Sequence, residues 1–173
     1  MQRINIVQGE HAVAAQPGVV LTTLLGSCVA VCLHDHHARV GGMNHFLLAE
    51  PDKGTAAERA AGFERYGVHA MEVLVNALLA RGAARERLRA HIYGGAAMIA
   101  GFGLIGQRNA DFARRFVAAE GIALGHCDIG GSHARRVEFL PHDGKVRALV
   151  AGDAALVAAQ TPQHAAASDV ELF

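Results

Sequence analysis

Two of the three cysteines and four of the eleven histidines lie in one stretch of the chain, as Cys28, Cys32, His34, His36, His37 and His45. Two chemistries use such residues. A thiol beside an imidazole is a nucleophile with its base: the ring takes the thiol proton, the thiolate attacks, and the ring returns a proton to the leaving group. Several of these side chains converging on one point would instead hold zinc. The zinc reading lacks spacing, because no CxxC, HExxH or paired CxxC pattern is present and Cys28 and Cys32 stand four apart on a strand-like run. Neither a metal nor a cofactor is expected.

The nucleophile reading depends on how the chain positions Cys28 and His45. CVAVCL and RVGGMNHFLL read as two strands with His36 and His37 at the turn between them. A two-residue loop there sets Leu33 opposite Val40, Cys32 opposite Gly41 and Cys28 opposite His45. Directly opposed residues hold their Cβ atoms ~4.5–5.5 Å apart, close enough for thiol and imidazole to meet. A one-residue change in the loop would flip the alignment. Gly26 and Ser27, just before the thiol, would bring backbone N–H groups to where an oxyanion forms. Spacing alone also accommodates Cys28 and Cys32 as small core residues, with His45 as polar packing.

The other elements follow from periodicity and punctuation. Val19 to Leu25 reads as a strand broken at Gly26, and Pro51 to Gly62 as an exposed loop. Val68, Met71, Val75, Leu78 and Leu79 recur at helical spacing before a stop at Gly82. A strand over Leu88 to Tyr93 runs into Gly94 and Gly95. Asn109 can cap a second helix that turns Phe112, Phe116 and Val117 inward and ends at Gly121. Ile122 to Ile129 is a further strand, and Arg135 to Leu140 with Lys145 to Val150 make a hairpin around Pro-His-Asp-Gly. Two amphipathic helices against six or more strands, several hairpin-paired, predict an α/β sandwich: a mixed, largely antiparallel sheet covered by helices. GFGLIG at 101–106 matches a dinucleotide fingerprint as a string. The strand before it ends near Gly94, however, so a glycine-rich turn ahead of the helix accounts for it. Cys127 reads as core, and Glu120, Asp128 and Asp143 form no carboxylate pair for acid–base hydrolysis.

Length and composition set outer bounds. At 173 residues one domain over 1–173 is expected, with 152–173 as a disordered, Ala-rich C-terminal tail. Sixteen Lys+Arg against sixteen Asp+Glu leave no basic excess for nucleic acid. Arg81, Arg85, Arg87 and Arg89 read as a solvated helix end. No run reaches the ~18 apolar residues of a membrane span, and MQRINIVQG lacks the apolar region of a signal peptide, so a cytoplasmic protein is expected. An odd number of cysteines excludes a complete disulfide framework and suits reduced thiols.

Several ordered segments then resemble the chemoreceptor glutamine deamidases, the CheD family. These are LGSCVAVCLHD with GGMNHFLL, then YGVHAMEVLVNALL, IYGGAAM, IGQRNADFA and DIGGSHARRVEF, running from about Pro17 to Val146. The resemblance implies sheet layers with flanking helices, similar to the catalytic domain of the cytotoxic necrotizing factor toxins. It implies Cys28 as nucleophile, His45 as its partner and Thr22, six residues before the nucleophile, as the residue that orients the imidazole; Thr23 stands beside it. It further implies hydrolysis of receptor glutamine side chains to glutamate with release of ammonia, on the cytoplasmic helices of methyl-accepting chemoreceptors. Two alternatives carry different consequences. One is a non-catalytic module that binds and stimulates a CheC-type phosphatase, and the other is a general cysteine amidase acting on a small-molecule amide.

Overall fold

A computed structural model of the chain describes residues 1–48, 53–98 and 103–152. The chain order is β1 (Gln2–Asn5), β2 (His11–Ala14), β3 (Val19–Leu25), β4 (Val29–Asp35), β5 (Val40–Asn44), α1 (Ala56–Leu79), β6 (Leu88–Gly94), α2 (Gly103–Ala119), β7 (Ala123–Ile129), β8 (Ala134–Leu140) and β9 (Lys145–Ala151). The strands form two sheets, a four-stranded one ordered β1-β3-β8-β9 and a five-stranded one ordered β2-β5-β4-β6-β7. Pairing is antiparallel except at β1–β3 and β6–β7. The expected layered α/β sandwich is therefore observed, with two sheets rather than one.

Strand alternation builds both cores. Along β4, Val29, Val31 and Leu33 face the helices and pack with Met71, Leu74, Leu78, Phe112 and Phe116. Ala30 and Cys32 face the other way and meet Leu21, Leu25, Val137 and Phe139 of the four-stranded sheet. β4 is buried at every position because it is covered on both faces, which is why it reads as a continuous apolar run.

Four local expectations change. The stretch expected as a loop over Pro51 to Gly62 is helical from Ala56, because Thr55 and Glu58 form a reciprocal capping box and alanines follow. Pro51 and Asp52 lie outside the described residues, as do Gly101, Phe102 and the tail beyond Gly152. α2 begins at Gly103, so Asn109 is inside the helix and not its cap. The β4–β5 turn has four residues, not two: Asp35 faces Val40, and Cys32 faces Met43. Asp35 Oδ1 accepts from the N–H groups of His37 and Ala38, and Arg39 closes the turn at φ 53°. Finally, Arg87 is more than a solvated charge, since its Nη2 lies 2.8 Å from the fully buried Asp35 carboxylate.

Candidate active site

The register correction moves the site without dismantling it. With Val29 bridged to Phe46, Cys28 no longer faces His45 directly but lies diagonally from it. The slip is two residues, so both side chains stay on one face of the sheet, the face turned toward the four-stranded sheet.

His45 is buried, and its hydrogen bonds define its protonation. Thr23 Oγ1 donates to the Ile6 carbonyl at 2.6 Å. That hydroxyl is therefore left with lone pairs toward His45 Nδ1, 2.8 Å away, so Nδ1 carries the proton and donates. Ile6 O, 3.4 Å from Nδ1, can only accept and requires the same tautomer. Nε2 is consequently a bare lone pair, buried and without a hydrogen-bond partner among the described residues. Burial lowers the pKa of His45, against smaller opposing effects from Ile6 and Glu10, and so favours the neutral ring. A buried, unpartnered acceptor costs free energy in a fold, and it is what a general base requires.

The hydroxyl that meets the imidazole belongs to Thr23 and not to Thr22. Leu21, Thr23 and Leu25 point between the sheets, whereas Thr22 occupies the opposite face, opposite Glu138 in the ladder. Thr22 Oγ1 is buried and has no partner among the described residues. The residue six positions before Cys28 thus faces away from His45.

Cys28 enters β4 from a locked loop. Ala96 N–H donates to Gly26 O at 2.9 Å, Asn109 Nδ2 to Ser27 O at 3.1 Å, and Gly95 N–H to Cys28 O at 2.8 Å. A trans peptide directs its N–H opposite to its C=O, so the N–H groups of Ser27 and Cys28 point away from that backing. The same logic sends Val29 N–H to Phe46 O, where it is found at 3.0 Å. Only glycine can supply this backing. A Cβ at Gly94, which has φ 109°, would lie 2.2 Å from Cys28 O, and a Cβ at Gly95 would meet Gly106 O at 2.6 Å. Gly106, the last glycine of the GFGLIG string, therefore serves close packing of α2 on this turn.

Asn109 ties the two halves of the site together. It is fully buried, and while its Nδ2 holds Ser27, its Oδ1 accepts from Leu48 N–H at 3.0 Å, three residues beyond His45. The Cys28 thiol is half-buried, and burial pushes it up to about 11, with its own backbone N–H pulling down more weakly. The thiol donates to Gln8 Oε1 at 3.7 Å. Burial thus disfavours the charged form of both Cys28 and His45. The site is set for proton transfer from sulfur to Nε2 during attack, not for a standing ion pair. A cleft of about 320 Å³ opens beside His45 between Glu10, His11, Tyr66, His69 and Val73.

Sequence reasoning brings Cys28, His45, Gly26 and Ser27 to one place, and the structure adds Thr23, Asn109 and Gln8. Cys32 is buried in the inter-sheet core, and burial raises its thiol pKa. Cys127 is exposed on the edge strand β7, not core as expected. Among the described residues no group of His, Cys, Asp and Glu is arranged to hold a metal, and no helix is long and apolar enough to cross a membrane.

Comparison with known proteins covers most of the chain. A solved structure of Neisseria meningitidis protein NMB0706 overlays 77% of this chain and 64% of its own, with TM-score 0.45 and 13% identity. The family model for CheD chemotactic sensory transduction matches residues 47–149, a segment that starts just past His45. A probable chemoreceptor glutamine deamidase CheD from Zymomonas mobilis is 56% identical over 84% of this chain and 79% of its own length. The protein of that name from Caulobacter vibrioides is 49% identical over 99% of this chain and 93% of its own, and the one from Acidiphilium cryptum 52% identical over 88% and 80%. With the family model matching residues 47–149 and relatives of about half identity covering most of its length, the chain belongs to the CheD family.

Proposed function

We propose that this chain is a cytoplasmic enzyme, folded as a single deamidase domain over 1–173, that hydrolyses glutamine side chains of chemoreceptors to glutamate. The observation that carries the mechanism is the buried Nε2 of His45, left without a partner while Nδ1–H is held by Thr23. In the reaction, the Cys28 proton passes to Nε2 as sulfur bonds to the carboxamide carbon. The carbonyl π pair moves onto oxygen, and the N–H groups of Ser27 and Cys28, turned away from the hydrogen bonds that back their carbonyls, are the donors assigned to that oxyanion. Collapse of the adduct breaks the C–N bond, and the imidazolium protonates the departing nitrogen as ammonia. His45 then takes a proton from water as its oxygen attacks the thioester. The C–S bond breaks, and the proton returns to sulfur. The balance is glutamine plus water to glutamate plus ammonia, with no oxidant or cofactor.

An amide leaves only when its nitrogen is protonated, so the acid role of His45 weighs as much as the nucleophile. The substrate gains a negative charge, which changes the packing of a helical receptor and creates a carboxyl that can later be methylated. The test is ammonia release from a receptor cytoplasmic fragment, with mass spectrometry of its peptides. Discrete glutamines should gain about one mass unit, as exchange of an amide nitrogen for oxygen requires. Cys28→Ala and His45→Ala should each abolish release. Undiminished release from Cys28→Ala refutes the mechanism. An inert wild-type protein that stimulates a CheC-type phosphatase, with Cys28→Ala equally stimulatory, would mark a binding module instead.

A further inference from the structure

Gln8 lies in the five-residue segment 6–10 that joins β1 to β2, and its side chain is exposed. Among the described residues it is the side chain hydrogen-bonded to Cys28, with Oε1 accepting from the thiol at 3.7 Å. The backbone that carries it is not free. Ile6 N–H donates to Thr22 O at 2.8 Å, Glu10 N–H to Val7 O at 3.0 Å, and Val7 N–H to Glu10 Oε2 at 3.1 Å. Gly9 N–H donates to His45 O at 2.8 Å, and His45 N–H donates back to Glu10 O at 3.0 Å. Ile6 O is the acceptor that fixes the Thr23 hydroxyl. One short segment therefore holds the backbone of the base, orients its partner and presents a carboxamide to the nucleophile.

We infer, on the reading of Cys28 as nucleophile, that the Gln8 carboxamide is a further catalytic side chain that changes role during the reaction. A carboxamide carries an acceptor and a pair of donors at the same reach, and its terminal torsion is broad and roughly two-fold. Before the reaction its oxygen accepts from the S–H. Once that proton has moved to His45, a half-turn offers N–H to the sulfur anion and then to the oxyanion growing beside it. Backbone N–H groups cannot do this, because they can only donate. The amide thus suits both the neutral thiol at rest and the anion in the adduct, where a fixed donor or acceptor suits only one.

The test uses Gln8→Met, which keeps the length and removes both functions, and Gln8→Glu, which keeps an acceptor but replaces the donor with a charge. Both are made in a Cys127→Ser background, so that the exposed Cys127 does not react with the probe. Two quantities are measured: kcat and KM for ammonia release from a receptor fragment, and the pH midpoint of Cys28 alkylation by iodoacetamide in substrate-free protein. The expected result for Gln8→Met is a fall in kcat of about 10²-fold, the usual cost of one oxyanion donor, with KM within about two-fold. Its alkylation midpoint should rise, and that of Gln8→Glu should rise further. Wild-type kcat and midpoint in both variants would overturn the assignment. So would a lower kcat with an unmoved midpoint, since displacement of the loop alone gives that pattern. Undiminished release from Cys28→Ala refutes the nucleophile itself. An inactive Cys28→Ala beside a fully active Gln8→Met refutes only the part given to Gln8.

Discussion

The two adjacent threonines of β3 give a sharp test, because the geometry predicts opposite consequences for nearly identical substitutions. Thr23→Val keeps the shape of the side chain and deletes the oxygen 2.8 Å from His45 Nδ1. The Nδ1 proton is then left with Ile6 O at 3.4 Å, a long and weak acceptor. A neutral hydrogen bond contributes about 0.5–1.5 kcal/mol net, and about 1.4 kcal/mol is a factor of ten in rate, so kcat should fall about three- to ten-fold from this bond alone. Weakening the Nδ1–H tautomer also removes the lone pair from Nε2 in part of the population, which brings the expected loss to roughly ten- to thirty-fold. Thr22→Val deletes a buried hydroxyl that has no partner among the described residues. Removing an unsatisfied buried polar group should stabilise the fold by about 1 kcal/mol, or roughly 2–4 °C in Tm at this chain length, with kcat unchanged. Ammonia release and thermal unfolding on both variants, with Thr23→Ser as the rescue, decide the matter. A Thr22→Val protein that loses activity while Thr23→Val keeps it would refute the opposed orientations of the two hydroxyls and return the role to the residue six positions before the nucleophile.

Two further outcomes follow from buried polar groups. Asn109→Leu strands Ser27 O and Leu48 N–H together, so stability should fall by about 2–4 kcal/mol and kcat should drop with it, because the donor to the nucleophile loop is gone; Asn109→Asp puts a carboxylate in a fully buried site against Ser27 O and should cost at least as much stability. Unfolding midpoints and kcat for both variants check this, and an Asn109→Asp protein with wild-type values would refute it. The second outcome concerns Asp35. Its burial pushes the carboxyl up, but Arg87 and the N–H groups of Ala38 and Ala84 outweigh this and hold it well below the usual carboxylate range. Asp35→Ala should destabilise the fold at neutral pH, because Arg87 can turn to solvent but the N–H groups of His37, Ala38 and Ala84 lose a charged acceptor, a bond worth about 1.5–3 kcal/mol. Because the folded-state value is depressed, the stabilisation is fully present above about pH 4 and lost as pH falls toward the folded value. The difference in urea midpoint between wild type and variant should accordingly hold from about pH 7 to pH 5 and shrink between about pH 5 and pH 3.

How much of the fold and site is legible in the sequence depends on whether the deciding contact is local. β3, β6, the β8–β9 hairpin and the inward faces of both helices follow from apolar spacing and glycine stops, because burial imposes those periods directly. β1 and β2 do not, being four residues each, with β1 mostly exposed and β2 running from exposed through half-buried to buried at Ala14. The register of β4 against β5 escapes pattern because Asp35, which belongs to the strand, folds its carboxylate onto the turn and lengthens it. Parity survives only because the slip is two residues. The choice of threonine is equally invisible: Leu21-Thr22-Thr23-Leu24-Leu25 shows no alternation, since Thr22 is buried as well as Thr23. Asn109 is hidden by a plausible local role as a helix cap, and Gln8 by standing in a loop with no periodic signal.

The parts that escape share a physical cause, which also says where the site is vulnerable. Cys28 and His45 belong to the five-stranded sheet, but the hydroxyl that selects the imidazole tautomer comes from the four-stranded sheet, across the Leu21, Leu25 and Phe139 core. The thiol is backed by the turn after β6 and by α2, on the other side of the same sheet. The reacting groups are therefore set at a seam between layers whose contacts are far apart in sequence. Interiors packed at crystal density transmit strain instead of absorbing it. A change in the volume of the inter-sheet core shifts Thr23 relative to His45 while leaving both residues intact. The tautomer of the base is thus a property of the packing between two sheets, which no single motif can specify.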